Sequence, residues 1–392
     1  MSIISRAAAD GYGCLSSWAD LLDRINVFPV PDSDTGTNLR ISLAPLQQPD
    51  ITPTDLPGLL ARSATGNSGN IAAAFLQDFL QAKNSNQLTT AAISGRDKSR
   101  QAVLDPKRGT MLDIFDTLAM TLTKQPPPDA TGFLPLCKQL QNAVLATSDL
   151  LPELKTAGVV DSGALGMFIF LEGFFKTITA FQGATPSVSH RFKDKLTIVP
   201  TWSPIPSTSH CIDALLDTAG DQSGGTVREL TALGDSVVVS NDNSKLKIHL
   251  HTSNPRRVQD YLTSMGALIH WHDEDMAVQT QQPILIDRPV HIMTDAAGSL
   301  DRETAKRQNI TLLDSYIIAG DQSCPESLCP PRQIYERMSR GERISTAQAS
   351  TFERHQHYVS AIQQYKKVLY LCVGSVYTGN CFGRSVERCY PP

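Results

Sequence analysis

Four short loops rich in glycine, serine, threonine and aspartate each lead directly into an apolar stretch within the first 182 residues. Apolar residues in this part recur at helical spacing, as in Trp18, Leu21 and Ile25, and no stretch alternates in the way typical of a strand. We therefore expect residues 1–182 to form an all-α domain. The loops between its helices hold most of the polar residues that could do chemistry.

The rest of the chain divides by composition. Residues 183–209 are rich in proline, serine and threonine and are typical of a linker. Residues 210–280 predict a small α+β domain, because a β-branched run at 236–240 and an alternating run at 245–251 flank a turn. Residues 281–392 alternate strand and helix patterns, which favours a parallel α/β sheet. That sheet has fewer elements than a doubly wound domain normally has, so we expect a truncated domain.

Charge and hydropathy exclude several classes of protein. The formal net charge is −4 and no long basic run occurs, which argues against a nucleic-acid partner. No apolar stretch reaches the ~20 residues of a membrane span, and the N-terminus lacks the apolar core of a secretory signal. The 8 cysteines include no CxxC pair, which favours reduced thiols and a cytoplasmic protein.

The first loop carries two carboxylates, Asp32 and Asp34, behind two prolines and before a glycine. Carboxylates this close repel each other unless a hard cation lies between them, so the spacing predicts a Mg²⁺ or Ca²⁺ site. The alternative is a turn in which an aspartate side chain caps the following helix.

The second loop, Thr65–Gly69, enters an apolar helix, where backbone N–H groups and the helix dipole favour an anion. An ordinary N-cap at Asn67 or Ser68 is the alternative. The third loop, Arg108–Leu112, and the fourth, Gly158–Gly166, also begin apolar helices. Four such loops, one of them acidic, predict a shared magnesium–nucleotide site at one end of a helical barrel.

In the α+β block, His249 and His251 lie two residues apart on one predicted strand, so both side chains point to the same face. With a nearby cysteine they would make a workable set of zinc ligands. The alternative is a pair of half-exposed histidines with no ligand.

The four loops together resemble the DhaL-like kinase domain of dihydroxyacetone kinases, and most closely the ATP-binding subunits of bacterial fatty-acid kinases. The matching segments are INVFPVPDSDTGTNL, ATGNSGNI, AVLDPKRGTML and LKTAGVVDSGALGMFIFLEG, within residues 5–180. The resemblance implies a helical barrel in which aspartates hold Mg²⁺ ions that bridge the phosphates of ATP or ADP.

Residue by residue, the resemblance puts Asp32 and Asp34 on magnesium, with Asn26 near a further ligand. The residues that it assigns to the nucleotide are Thr37, Asn38, Asn67, Ser68, Gly69, Thr110, Met111 and Asp161. Relatives commonly carry Pro-Val-Glu-Gly-Thr where this chain has Pro-Lys-Arg-Gly-Thr, so Arg108 reverses a charge in the third loop.

The α+β block resembles the middle domain of the same kinases through GDSVVVSNDNSKLKIHLHTSNP. There Cys211 resembles a cysteine that precedes a helix, and it would join His249 and His251 on zinc. Residues 281–392 resemble the first half of a DegV-type fatty-acid-binding domain through VHIMTDAAGSL, ISTAQAS and VLYLCVGSVYTGN. In relatives, hydroxyls at the positions of Thr346 and Ser375 hold an acyl carboxylate.

The resemblance thus implies a kinase that uses ATP and Mg²⁺ to convert a fatty-acid carboxylate into an acyl phosphate. Its expected partners are a nucleotide, a fatty acid or a separate acyl-binding protein, and a second copy of the chain. One alternative is a component of a glycerone-type kinase, and another is a non-catalytic fragment that binds lipid or nucleotide. We expect weak activity from this chain alone, because part of the acyl-binding domain is absent from it.

Overall fold

The computed structural model describes residues 2–48, 52, 54–124, 129–203, 210–218, 229–242, 245–276, 289–298, 300–320 and 322–374. The chain forms two compact units, Met1–Gln282 and Pro283–Pro392. Each unit is described by itself below. Within the described ranges, no helix is both long enough and apolar enough to cross a membrane.

The first unit begins with a helical domain. An isolated β-bridge joins Val103 of this domain to Val238 of the sheet that follows it in the chain. In chain order the helices are α1 (Ile3–Ser16), α2 (Ala19–Arg24), α3 (Thr35–Leu43), α4 (Leu56–Ser63), α5 (Gly66–Phe79), α6 (Leu88–Ala102), α7 (Met111–Lys124), α8 (Phe133–Leu150), α9 (Pro152–Ala157), α10 (Ser162–Ile178) and α11 (Val188–Arg191). Short 3₁₀ turns lie at Ala44–Gln47 and Ser85–Gln87. The expected helical character of residues 1–182 is confirmed.

Helix α10 lies at the centre of this domain because its sequence is apolar on nearly every side, a pattern that requires burial all round. Helix α1 packs closely against it. A Cβ atom at Gly11 would lie 2.7 Å from the carbonyl oxygen of Phe170, and one at Gly173 would lie 3.1 Å from the Cα of Gly11. Glycine is therefore required where the two helices meet.

The segment expected to be a linker packs against the helical domain as far as residue 203. Phe192 is fully buried and meets the ring of Phe168 edge-on at 5.4 Å. The backbone N–H of Val160 donates to the carbonyl of Lys195, and that of Val199 donates to Ala157. Residues 204–209 of the expected linker lie outside the described ranges.

The first unit ends with a four-stranded antiparallel sheet of order β2-β3-β1-β4. Its strands are β1 (His210–Asp217), β2 (Asp235–Asp242), β3 (Lys245–Thr252) and β4 (Ala267–Asp275), with helix α12 (Pro255–Met265) between β3 and β4. The predicted hairpin corresponds to β2 and β3. Strands β1 and β4 were not predicted.

The two faces of β1 and β3 differ in chemistry. The even-numbered residues, such as Ile212, Ile248 and Leu250, pack with Val258 and Leu262 of α12 in an apolar core. The odd-numbered residues of these strands lie on the opposite face. They include all the cysteine, histidine, aspartate and lysine residues of the two strands, with the exception of His210 at the start of β1. On that side of the unit, Val238 of β2 packs against Ala74 of α5 and Ala102 of α6. The polar face of the sheet is therefore turned toward the helical domain.

The second unit contains two three-stranded sheets. The parallel one has the order β10-β5-β6 and the antiparallel one the order β8-β7-β9. The elements are β5 (His291–Asp295), α13 (Arg302–Arg307), β6 (Ile310–Leu313), β7 (Tyr316–Ala319), β8 (Gln322–Pro325), α14 (Pro331–Ser339), β9 (Ile344–Ala347), α15 (Thr351–Gln364) and β10 (Val368–Leu371), with 3₁₀ turns at Ala296–Gly298 and Glu326–Leu328. The predicted α/β character is confirmed, and the antiparallel sheet is an addition to it.

Most, but not all, of the described cysteines are in the reduced state that the sequence predicted. Cys14, Cys137, Cys211, Cys324 and Cys329 are free. Cys372, which follows β10, is disulfide-bonded, so the expectation of reduced thiols is wrong at this position.

Candidate functional site

The acidic loop joins α2 to α3 and brings its two carboxylates close together. Burial and the charge of Asp34 raise the pKa of Asp32 well above its ordinary value. Ser33 between them has a φ of 57°, in the left-handed region that few non-glycine residues adopt. A pair of half-buried carboxylates that oppose each other's ionisation is an arrangement that a divalent cation would relieve.

Asn26 contacts this pair directly. Its side-chain nitrogen donates to Oδ1 of Asp32 at 2.5 Å, and its Oδ1 accepts from the hydroxyl of Ser162 at 3.4 Å. Ser162 also donates to Oγ1 of Thr35 at 3.1 Å. These bonds connect the acidic loop to the start of α3 and to the start of α10. Asn26 is thereby held in place and in turn orients the carboxylate of Asp32.

Helix α5 begins at Gly66, so four of the five residues of the expected second loop, residues 66–69, form the first turn of the helix. Gly66 has a φ of +62°, and a Cβ atom there would lie 2.0 Å from the side-chain nitrogen of Asn38, so glycine is required. Asn67 and Ser68 follow in the first turn of α5. Together with Asn38 of α3, these two side chains line a cavity that opens at this helix start.

Two residues assigned to the nucleotide, Thr37 and Gly69, are not among the residues that line this cavity. The backbone N–H and the hydroxyl of Thr37 both bond the carboxylate of Asp23, at 2.9 and 2.8 Å. Gly69 faces α3, where a Cβ atom would lie 2.0 Å from Oγ of Ser42. Thr37 therefore fixes the first turn of α3 to α2, and Gly69 allows α3 and α5 to approach each other, while their expected place beside the phosphates stays a prediction.

The third and fourth loops reach the same cavity through Thr110, Met111 and Asp161. Asp161 caps α10 by accepting from the backbone N–H of Ala164 at 2.7 Å. Burial raises the pKa of Asp161 to about 7. Arg108 is exposed and does not line the cavity, so its charge reversal leaves the lining unchanged, whereas its neighbour Lys107 does line it.

The predicted histidine pair forms a cluster with Cys211. The antiparallel register places Cys211 opposite His251 and Asp213 opposite His249. One ligand atom from each of Cys211, His249 and His251 lies within 4.8 Å of the other two, and all three residues are buried. Cys211 lies within strand β1.

The cluster has the chemistry of a metal-binding set. Nε2 of His249 and Nδ1 of His251 are buried and make no hydrogen bond. Burial, with a smaller effect of His249, lowers the pKa of His251 to about 3, so this ring is neutral as a metal ligand must be. Burial and then the charges of Asp213, Asp34 and Asp32 raise the pKa of the Cys211 thiol. A bound cation would oppose all of these unfavourable effects on the thiolate.

The loops and the cluster share one cavity of about 440 Å³. Its lining includes the acidic pair, the start of α5, the third and fourth loops, and the Cys–His–His cluster. Apolar side chains complete the wall, among them Ile71, Val103, Leu104, Val237 and Val238. The helical domain and the sheet of the first unit therefore build a single site.

In the second unit, one of the two predicted acyl-carboxylate residues lies within the described ranges. Thr346 is exposed on β9, where it pairs with Ile317 of β7. Ser375 lies outside the described residues. Sequence reasoning overlooked Asp295, whose buried carboxylate accepts from the hydroxyl of Tyr370 at 2.6 Å and from the backbone N–H of Val373 at 2.8 Å.

In the first unit, sequence reasoning also missed Asp213 and Lys247, which are both buried on the polar face of the sheet. Each lies two residues from a member of the cluster, Asp213 after Cys211 and Lys247 before His249. A strand assignment for residues 210–217 would have put Asp213 on the same face as Cys211 and so identified it.

Comparison with known proteins agrees with this organisation. The DAK2 domain model matches residues 29–176, the FakA-like fatty acid kinase middle domain matches residues 208–283, and the DegV family model matches residues 289–381. These three domains in this order match the architecture of FakA-type fatty acid kinases.

Several bacterial proteins align over most of this chain. An uncharacterized protein of Staphylococcus haemolyticus is 29% identical over 327 residues, which are 74% of this chain and 58% of that protein. Protein YloV of Bacillus subtilis is 29% identical over 304 residues, 68% of this chain and 53% of YloV. An uncharacterized protein of Staphylococcus aureus is 28% identical over 350 residues, 79% of this chain and 62% of that protein. The chain thus spans little more than half the length of these relatives.

Proposed function

We propose that the chain is a phosphotransferase that uses ATP and Mg²⁺ to phosphorylate a fatty-acid carboxylate. The observation that carries this proposal is the shared cavity, which the acidic pair, the start of α5 and the Cys–His–His cluster all line. Carboxylates beside the polar side chains of a helix start suit a magnesium–polyphosphate complex. The domain architecture supports a kinase-type activity.

The nucleotide would lie against the helical-domain wall of the cavity. Asp32 and Asp34 would hold Mg²⁺, since paired oxygen ligands are what this ion prefers. The ion would neutralise charge on the phosphoryl group during transfer. Asn26 keeps the Asp32 carboxylate oriented, and Asn38, Asn67 and Ser68 offer hydrogen bonds at the start of α5. Thr110, Met111 and Asp161 would border the rest of the nucleotide.

The Cys–His–His cluster would hold Zn²⁺. One sulfur and two nitrogen ligands fit zinc, and the unbonded nitrogens of His249 and His251 are available for it. Three protein ligands leave a fourth position open, where zinc would bind and polarise an oxygen of the acceptor. Because the cluster lines the same cavity as the acidic pair, the acceptor would meet the nucleotide there.

A fatty-acid carboxylate needs no general base, because it is ionised at neutral pH. One of its oxygens attacks the γ-phosphorus, and the bond from that phosphorus to the β–γ bridging oxygen breaks. The products are an acyl phosphate and ADP, with no net proton transfer. The chain's residues act by positioning and by charge stabilisation.

The test is ATP turnover by the purified full-length chain with Mg²⁺ and oleate, with and without a separate acyl-binding protein. We expect turnover that depends on oleate, is greatest with the acyl-binding protein, and is lost in Asp32→Asn. Turnover with dihydroxyacetone and none with oleate would support the glycerone-type alternative. Absence of ATP or ADP binding would contradict the phosphotransferase proposal.

Two further expectations from the sequence belong with this proposal: the location of the chain in the cell and its oligomeric state. ATP is a cytoplasmic substrate, so we infer that the chain acts in the cytoplasm. The homodimer stays a prediction, which sedimentation of the purified chain would test.

A further inference from the structure

Asp213 makes contacts on both sides of the boundary between the sheet and the helical domain. It is buried on β1, with only 3% of its surface exposed. Toward the helical domain, its Oδ2 accepts from the backbone N–H of Gly66 at 3.0 Å and from the hydroxyl of Thr65 at 3.1 Å, and its Oδ1 accepts from Asn70 at 3.3 Å. The donors are the residue that precedes α5 and the first turns of α5 itself.

On the sheet side, the same carboxylate contacts the metal-binding cluster. Nδ1 of His249 lies 3.4 Å from Oδ2 of Asp213, and Nζ of Lys247 lies 3.4 Å from Oδ1. Oδ2 therefore lies between a histidine of the cluster and the helix start that is proposed to meet phosphate. Nδ1 also lies 4.0 Å from Sγ of Cys211, and Nε2, the other ring nitrogen of His249, makes no hydrogen bond.

This geometry has a known physical effect at metal sites. A carboxylate that accepts from one ring nitrogen of a histidine fixes its tautomer and orientation and leaves the other nitrogen for the metal. Here the carboxylate is in turn held by the start of α5, an element of another domain. A shift of α5 on binding phosphate would move Asp213, and Asp213 would move the His249 ring.

We propose that Asp213 is a positioning residue that couples zinc binding at the Cys–His–His cluster to nucleotide binding at the start of α5. The inference rests on the proposed function, because it takes zinc and Mg²⁺–nucleotide as the two ligands. Coupling is reciprocal, so zinc should strengthen nucleotide binding by the same factor by which nucleotide strengthens zinc binding.

The experiment measures that factor in the full-length chain. Calorimetry gives the affinity for ADP with Mg²⁺ in zinc-loaded and chelator-treated protein, and competition with a chelating dye gives zinc affinity with and without ADP. In the unsubstituted chain we expect zinc to change the ADP affinity by a factor of about 5 or more. Asp213→Asn should bring this factor close to one and weaken zinc binding by roughly 10–100-fold.

Asp217→Asn is the matched control, since Asp217 lies on the same strand with an exposed side chain. It should keep the coupling factor unchanged. Thr65→Val removes one donor to Asp213 without touching the cluster or burying a new charge. It should reduce the factor partially, and it serves as the test if Asp213→Asn does not fold.

The outcomes separate the two proposals. Failure of the unsubstituted chain to bind ADP or zinc would overturn the proposed function, and the coupling with it. Binding of both ligands without mutual influence would overturn the coupling alone. Full coupling retained in a folded Asp213→Asn, or in Thr65→Val if that is the variant tested, would assign Asp213 a merely structural role.

Discussion

Asp32 and Asp34 lie so close that each opposes the other's ionisation. Burial and the charge of Asp34 raise the pKa of Asp32 well above its ordinary value, which means that the folded chain without a cation disfavours the charged pair. Unfavourable charge of this kind is retained where a ligand compensates for it. The charge of this pair therefore affects two quantities in opposite ways: the stability of the chain without a cation, and its affinity for a magnesium–nucleotide complex.

Asp32→Asn should move these two quantities in opposite directions. The amide keeps the size of the side chain and removes a charge, so the melting temperature in EDTA should stay level or rise. Affinity for ADP in the presence of Mg²⁺ should fall at least tenfold, because a ligand of the ion is lost. Calorimetry and thermal melting measure the two effects.

Asp97→Asn, on the exposed side of α6, is the control for this substitution, since half of its side chain is exposed. It should leave both measurements unchanged. Unaltered ADP affinity in both Asp32→Asn and Asp34→Asn would remove the magnesium assignment.

Asp161 predicts a pH dependence of stability. Its pKa rises from an ordinary 3.8 to about 7, mainly through burial. Between these values the folded state binds more protons than the unfolded state, so stability falls as pH rises from 4 to 7. The full effect is at most about 4 kcal/mol. Asparagine can still cap α10 but does not titrate.

Asp161→Asn should therefore melt at a higher temperature than the unsubstituted chain at pH 8, with the difference shrinking toward pH 4. Melting in EDTA across this range measures it. Asp149→Asn, exposed on α8, should show no such trend. A constant difference across the range would show that Asp161 does not titrate there.

At the scale of elements, the crossing of α3 and α5 depends on the absence of a side chain at Gly69. A Cβ atom there would meet Ser42, which cannot easily turn away because its hydroxyl accepts from the backbone N–H of Thr65 at 3.0 Å. The small residues of the second loop thus serve two purposes. Asn67 and Ser68 line the cavity, and Gly69 lets the helix that carries them approach α3.

Gly69→Ala should destabilise the chain by about 1–3 kcal/mol through overpacking between the helices. The melting temperature should fall with and without ADP, since the cause is packing. Gly298→Ala is a control, because the nearest atom to a Cβ there lies at 3.5 Å, an ordinary contact. Loss of ADP affinity at an unchanged melting temperature would instead support the predicted place of Gly69 beside the phosphates.

Across the first unit as a whole, one cavity is built from two domains. The α5 start and the β3 histidines both line it, and Val238 of β2 packs on α5 and α6 close by. A ligand that fills the cavity contacts both walls, so its binding energy stabilises the sheet as well as the helices against local opening.

Hydrogen exchange measures this effect directly. ADP with Mg²⁺ should slow amide exchange in residues 65–70 and also in residues 245–252, which belong to the other domain. Asp32→Asn at the same ligand concentrations should show neither protection. If amide exchange slows only in the helices, then the sheet lines the cavity but nucleotide binding does not stabilise it.

The local features of this chain could be predicted from its sequence because they depend on near neighbours. The period of apolar residues sets the helices of the first domain, and the alternation of residues 245–251 sets a strand with His249 and His251 on one face. The acidic loop is recognisable for the same reason, since Asp32 and Asp34 are two residues apart. The resemblance to kinase loops added roles for these residues.

Which of these features meet depends on how the elements pack. The register of β1 against β3 brings Cys211 to the histidines, and Asp213 reaches Gly66 across 147 positions of sequence. Within the helical domain, the hydroxyl of Thr37 on α3 donates to Asp23 on α2. Such pairings depend on how separate elements pack, and neither periodicity nor the spacing of residues within a loop contains that information. The order of residues along the chain sets which chemical groups are available, and the packing of the sheet against α5 and α6 brings these groups together in one place.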